Sequence, residues 1–97
     1  MKTKNNKERP VVVCTDNRGV FFGYATETRG DPIILKRARM CIYWSAATKG
    51  VMGLASDGPA PGSKVGAAVP EIELRQITCV IEMAPAAVAK WESAPWA

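Results

Sequence analysis

The chain has no histidine. That absence removes the commonest general base, the commonest biological metal ligand and every catalytic triad built on imidazole. Cysteine is sparse. Cys14, Cys41 and Cys79 are the three present, and no pair has the C-x-x-C spacing of a zinc or redox site. Each falls in a segment that reads as strand, so reduced, packed thiols are expected. No apolar run approaches the roughly 18 residues that span a bilayer. The basic start is not followed by an apolar segment of signal-peptide type. The expectation is a cytoplasmic protein with no membrane contact. Internal repeats and low-complexity segments are also missing.

Acidic chemistry is thin. Glu71 and Glu73 share one strand face and read as solvated, while Asp16, Asp31 and Asp57 occupy turn positions where they hold local backbone. Gly58-Pro-Ala-Pro-Gly62-Ser63-Lys64 invites comparison with a phosphate-binding P-loop and fails it. The spacing between glycines is one residue short, Ser precedes Lys, and the prolines remove N–H donors. Gly62, Ser63 and Lys64 still offer donors at a loop rim. Without a carboxylate pair, a metal set or a cofactor motif, the sequence reads as a non-enzyme: no catalytic residues, no metal, no cofactor.

What is present is ordinary globular composition. The chain has 97 residues, 47% apolar and 23% charged, enough for one small core. The net charge is +4, but Lys2, Lys4, Lys7 and Arg9 against Glu8 place +3 of it in residues 1–9, leaving +1 for the rest. Residues 1–9 therefore read as a flexible basic tail and 10–97 as a single domain. The tail is either a solubilising segment or a grip on nucleic-acid phosphate.

Residues 9–16 form a β-branched first strand, and Asn17-Arg18-Gly19 turns it into a second over 20–27. Phe21 and Phe22 cannot share a face, so at least one is expected at the surface or a subunit contact. Gly23 signals a bulge or a close backbone approach. Pro32 starts a third strand running from about Ile33 to Tyr43 or Trp44. Residues 45–58 predict a short helix, with Thr48 as cap and Gly58 as stop, weakened by roughly 1 kcal/mol at each of Gly50 and Gly53. A Gly- and Pro-rich loop over 58–69 leads to a closing strand over 70–82. A bulge near Arg75-Gln76 would put Ile72, Leu74, Ile77, Cys79 and Ile81 on the core side. Residues 84–93 predict a helix with Pro85 in its first turn and Ala84, Val88 and Trp91 on one stripe. Trp96, after a proline, is hard to bury within one chain and suggests a contact with a second copy. The fold class expected is α+β: a curved, mainly antiparallel sheet of four or five strands with two short helices.

The sharpest functional signal is in the third strand. Alternation places Arg37, Arg39, Cys41 and Tyr43 on one face, and Ala38, Met40, Ile42 and Trp44 on the other, which is expected to be core. Two guanidinium groups and a phenol in a row suit a flat anion such as a nucleotide. The same residues also read as a solvated polar face paired with Glu27 or Glu73 across the sheet.

The Gly19-Val-Phe-Phe-Gly-Tyr24 hairpin, Ala38-Arg39-x-x-x-Tyr43-Trp44-Ser45, Gly53-Leu54-Ala55, Val69-Pro70 and the Trp91 helix together resemble a family of small phage and prophage proteins of uncharacterised function. The resemblance spans residues 10–96. It implies a non-enzymatic phage protein. The function expected is sequestration of a small anionic ligand, a cyclic nucleotide signal of host antiphage defence, at the interface of a homo-oligomer, with Arg37, Arg39, Tyr43 and Lys64 as ligand-binding residues. The alternatives are an adaptor that inhibits a host protein or binds nucleic acid through the tail and the Phe21/Phe22 surface, and a virion assembly protein.

Overall fold

The computed structural model describes residues 8–16 and 19–94. Six strands and two helices follow one another: β1 (Arg9–Thr15), β2 (Val20–Ala25), β3 (Ile33–Tyr43), a 3-10 turn at Ala46–Thr48, α1 (Gly50–Ser56), β4 (Lys64–Val65), β5 (Val69–Leu74), β6 (Ile77–Glu82) and α2 (Pro85–Ser93). The α+β expectation holds. The sheet has six strands because the 58–69 loop contains the short β4 and the expected closing strand divides in two. The first strand begins at Arg9, inside the segment expected to be tail, and Arg9 pairs with Glu82 at 3.2 Å. Trp96 and residues 1–7 lie outside the described residues.

β1, β2 and β3 form the expected antiparallel meander, and β6 pairs with β1. β3 is long enough to take two neighbours on its far side, β5 along Ile33–Ala38 and β4 at Cys41 and Tyr43. This order forces curvature. Leu74 and Ile77 can be no more than about 11 Å apart along the chain. Five strands laid flat would separate the outer pair by about 19 Å. The sheet therefore curls, yet remains open, because β5 and β6 pair with β3 and β1 and not with each other. At their junction Gln76 takes a positive φ of 60°, and the Asp31 carboxylate accepts the N–H groups of Gln76 and Ile77 at 3.2 and 3.0 Å.

A curled sheet buries both faces. The inner face holds Val11, Val13, Ala25, Ile33, Leu35, Ala38 and Leu74, with Ile72, Ile77 and Val80 beside them. Gly23 belongs to this face, where an added Cβ would sit 2.8 Å from the Leu35 Cβ, the close approach its sequence position suggested. The outer face packs under the helices through Val12, Val20, Phe22, Cys41, Leu54, Ala55, Val65 and Trp91. Phe22 is fully inside, stacked on Trp91 at 5.2 Å, while Phe21 is half-buried on the inner face. Trp91 also donates its indole N–H to the Leu54 carbonyl at 2.9 Å, which joins α2 to α1. The expectation that Ile72 through Ile81 share one core is corrected. Ile72, Leu74 and Ile77 face inward, Ile81 lies under the helices and Cys79 is exposed.

Candidate functional site

β3 ends where the sequence placed it, with Ala38 buried and Tyr43 exposed as expected, but Arg39, Met40 and Ile42 depart from the expected split between core and solvent. Between Phe22↔Arg39 and Tyr24↔Lys36, β3 spends one more residue than β2. The extra residue is Arg37, with φ 51°. This bulge shifts the residues beyond it relative to Ile33 and Leu35, so that Ala38 shares their face, and it sets Arg37 apart from the alternation of Arg39, Cys41 and Tyr43. Arg39 and Cys41 turn under the helices and are buried, whereas Met40 and Ile42, expected in the core, are 42% and 56% exposed.

Arg39 is therefore not a free guanidinium. Its Nε donates to the Gly66 carbonyl at 2.7 Å, and its Nη1 donates to the Trp91 and Glu92 carbonyls at 2.7 and 3.4 Å. The last two belong to the final turn of α2, whose carbonyls have no partner within the helix. Arg39 caps that helix end from the sheet, where the dipole favours a cation. Its assignment as a ligand-binding residue is corrected: the side chain is spent on structure.

Arg37 points elsewhere. Its Nη2 donates to Glu8 Oε1 at 2.6 Å, and its guanidinium carbon lies 4.3 Å from the Tyr24 ring centre. That hydrogen bond and charge hold the Glu8 carboxyl below its ordinary range. Neither Glu27 nor Glu73 is its partner: Glu27 accepts the Arg29 N–H and Glu73 pairs with Arg75. Beneath Arg37, the Tyr24 hydroxyl donates to Glu92. Burial and that carboxylate push the Tyr24 phenol up to about 12. A phenol raised in the folded chain stabilises it fully below the unfolded value near 10, and the contribution fades as pH rises through about 12. In urea titrations between pH 10 and 12, wild type is expected to lose stability more steeply than Tyr24→Phe. Parallel curves would contradict the raised phenol.

Tyr43 and Lys64 are cross-strand partners at the end of β3, both exposed. The four expected ligand residues thus occupy three separate places. Lys64 is the one beside a cleft, a cavity of about 390 Å³ between the 59–63 loop and the end of α2. Gly62, Ser63, Val65, Lys90 and Ser93 line it. Lys64 stands between two lining residues without lining the cleft itself.

The local sequence explains how this cleft is held. Thr48, buried in the 3-10 turn, accepts the Ala60 N–H at 3.1 Å and meets Ser63 Oγ at 3.0 Å. Ser63 Oγ in turn accepts the Ser45 N–H at 3.0 Å. Thr48 thus pins the loop; it does not cap α1, whose N-cap is Lys49. Gly58, at φ 86°, lets α2 approach. A Cβ there would be 2.8 Å from the Lys90 Cβ and 3.0 Å from the Ala87 carbonyl. That contact brings Lys90 to the loop, and no spacing in the sequence announces it. Gly62 takes φ 94°, and its N–H has no hydrogen-bond partner among the described residues. Among the described residues no carboxylate side chain lines the cleft, and neither Lys64 nor Lys90 is in an ion pair.

Among the described residues, no group of three or more Cys, Asp or Glu could hold a metal ion. No helix there is long and apolar enough to cross a membrane. Residues 8–91 match the family described as Domain of unknown function (DUF6948), and the chain belongs to that family. No curated protein and no solved structure matches it.

Proposed function

We propose that this domain is a non-catalytic binding protein that holds a small anionic ligand in the cleft between the 59–63 loop and α2. The observation that carries the proposal is the cleft's lining. Lys90, Ser63 and Gly62, whose N–H has no partner among the described residues, line it beside Pro59, Pro61 and Val65, and among the described residues no carboxylate side chain joins them to repel an anion. Its volume falls in the range of small-molecule sites. Lys90 replaces Arg39 as the principal cation, and Lys64 adds charge at the rim. In its narrowest form the ligand is a cyclic nucleotide of host antiphage defence and the chain a phage or prophage protein. The support for that form is the resemblance carried by the Ala38-Arg39-x-x-x-Tyr43-Trp44-Ser45 pattern.

The test is calorimetry and thermal shift against inorganic phosphate, mononucleotides and cyclic mono- and dinucleotides. A ligand that binds the folded chain raises Tm by mass action. Lys90→Ala is expected to weaken binding about tenfold or more, the size of one charged hydrogen bond, with Tm of the free protein unchanged because Lys90 is exposed. Arg37→Ala should bind like wild type. The proposal fails if the whole panel leaves Tm unmoved, or if Lys90→Ala binds as well as wild type.

A second reading has one observation in its favour. Met40 and Ile42 stand exposed on the inner face next to half-buried Phe21, the cross-strand partner of Met40. An apolar row of this kind favours a protein partner or a second copy of the chain.

A further inference from the structure

Two of the three thiols are not isolated. Cys14 on β1 and Cys79 on β6 are direct cross-strand partners. Antiparallel partners have Cα atoms about 4.5–5.5 Å apart, inside the roughly 4.4–6.8 Å that a disulfide bridges. Both side chains rise from the outer face, the face of Val12 and Ile81, which are partners two residues along the same pair of strands. Cys14 is half-buried and Cys79 is exposed at a strand whose other edge has no partner among the described residues. Cys41 is a different case: buried, two strands away from β1.

We propose that Cys14 and Cys79 form a redox-active dithiol, oxidised to an intrachain disulfide by exchange with a low-molecular-weight disulfide such as oxidised glutathione. Exposed Cys79 meets the reagent. Its thiolate attacks one sulfur, the reagent's S–S bond breaks, and one glutathione thiolate leaves. Cys14 then gives its proton to water and attacks the Cys79 sulfur, which expels the second glutathione thiolate. Two protein thiols are oxidised, one reagent disulfide is reduced to two thiols, and the protons go to the leaving thiolates through solvent. The order of attack follows from the surroundings. Burial, and secondarily contact with the Cys79 thiol, push the Cys14 thiol up to about 12, which makes it the resolving partner. Capping Cys79 as a mixed disulfide removes its share of that shift. The product ties the edge strand β6 to the middle of the sheet and closes a long loop of chain between residues 14 and 79.

The experiment uses the full chain in anaerobic glutathione buffers of graded redox ratio, quenched by alkylation and read by intact mass and peptide mapping. Expected is a monomer that has lost two hydrogens, with Cys14 joined to Cys79 and Cys41 alkylated only after denaturation. Tm should rise by about 20 °C on oxidation, given the loop enclosed. The Cys14→Ala variant should stop at glutathione on Cys79, and Cys41→Ala should still form the cross-link. The proposal is overturned if wild type ends as the glutathione adduct at Cys79, if the bridge includes Cys41, if two chains join through Cys79, or if Cys14 stays alkylatable at every ratio.

Discussion

Arg39→Ala is expected to cost about 3 kcal/mol of folding stability, from carbonyls left without a donor, at about 1–3 kcal/mol for a buried one, and from the packing lost with the side chain. The guanidinium serves the carbonyls of Gly66, Trp91 and Glu92 at once. Removing it strands the Trp91 carbonyl away from water, takes the donor from the part-buried Gly66 carbonyl and opens a void between β3 and α2. The loss is a large share of the 5–15 kcal/mol typical of a whole domain. Arg39→Lys should recover part of it. An ammonium supplies the charge that the end of α2 favours, but its compact donors cannot span both the Gly66 and the Trp91 carbonyls. The measurement is urea unfolding followed by tryptophan fluorescence, since Trp91 sits at the contact. A midpoint for Arg39→Ala within error of wild type would show that the guanidinium is dispensable, and Arg39 would return as a candidate for ligand.

The misreading of Arg39 has an identifiable physical origin. The bounds of β3 were legible from Pro32 and the β-branched run, and so was the alternation of side chains. Two facts were not. One is the bulge that parts Arg37 from Arg39, since an arginine at φ 51° carries none of the usual signal of glycine or asparagine. The other is that a curled sheet buries both faces, so alternation sorts residues into two sets without saying which set meets solvent. The hairpin, the 75–76 break and α2 depend on local turn and helix chemistry and could be read directly. The candidate cleft depends on α2 docking against the 58–63 loop. Gly62, Ser63 and Lys64 were visible as loop donors, whereas Lys90 enters only through the close approach that Gly58 permits. The cysteine pair was hidden in the same way. Positions 14 and 79 are remote in sequence and become neighbours through the β1–β6 register.

Gly53→Ala tests a place where propensity and packing give opposite signs. In an ordinary exposed helix the change stabilises by roughly 1 kcal/mol, because alanine loses less backbone freedom on folding. Here an added Cβ would lie 1.6 Å from the Thr48 carbonyl oxygen and 2.7 Å from its carbon. The obstacle is backbone and cannot rotate aside. Nor can the 3-10 turn retreat freely. Thr48 Oγ1 holds the Ala60 N–H and Ser63, and Lys49 and Gly50, at φ 68° and 74°, already fold the chain back over α1. Relief must come from displacing that turn, which opens the cleft, or from unwinding α1, which breaks the Trp91–Leu54 hydrogen bond. The expected result is a loss of about 3 kcal/mol or more, at the upper end for overpacking. Gly30→Ala is the matched control. Nothing lies within 4 Å of the Cβ that substitution would add, and its effect should stay within about 0.5 kcal/mol. Urea midpoints of the two variants decide the matter. A Gly53→Ala midpoint at or above wild type would mean that the turn at Ala46–Thr48 moves away at little cost, and that the Thr48–Ser63 network does not fix the loop beside Lys90.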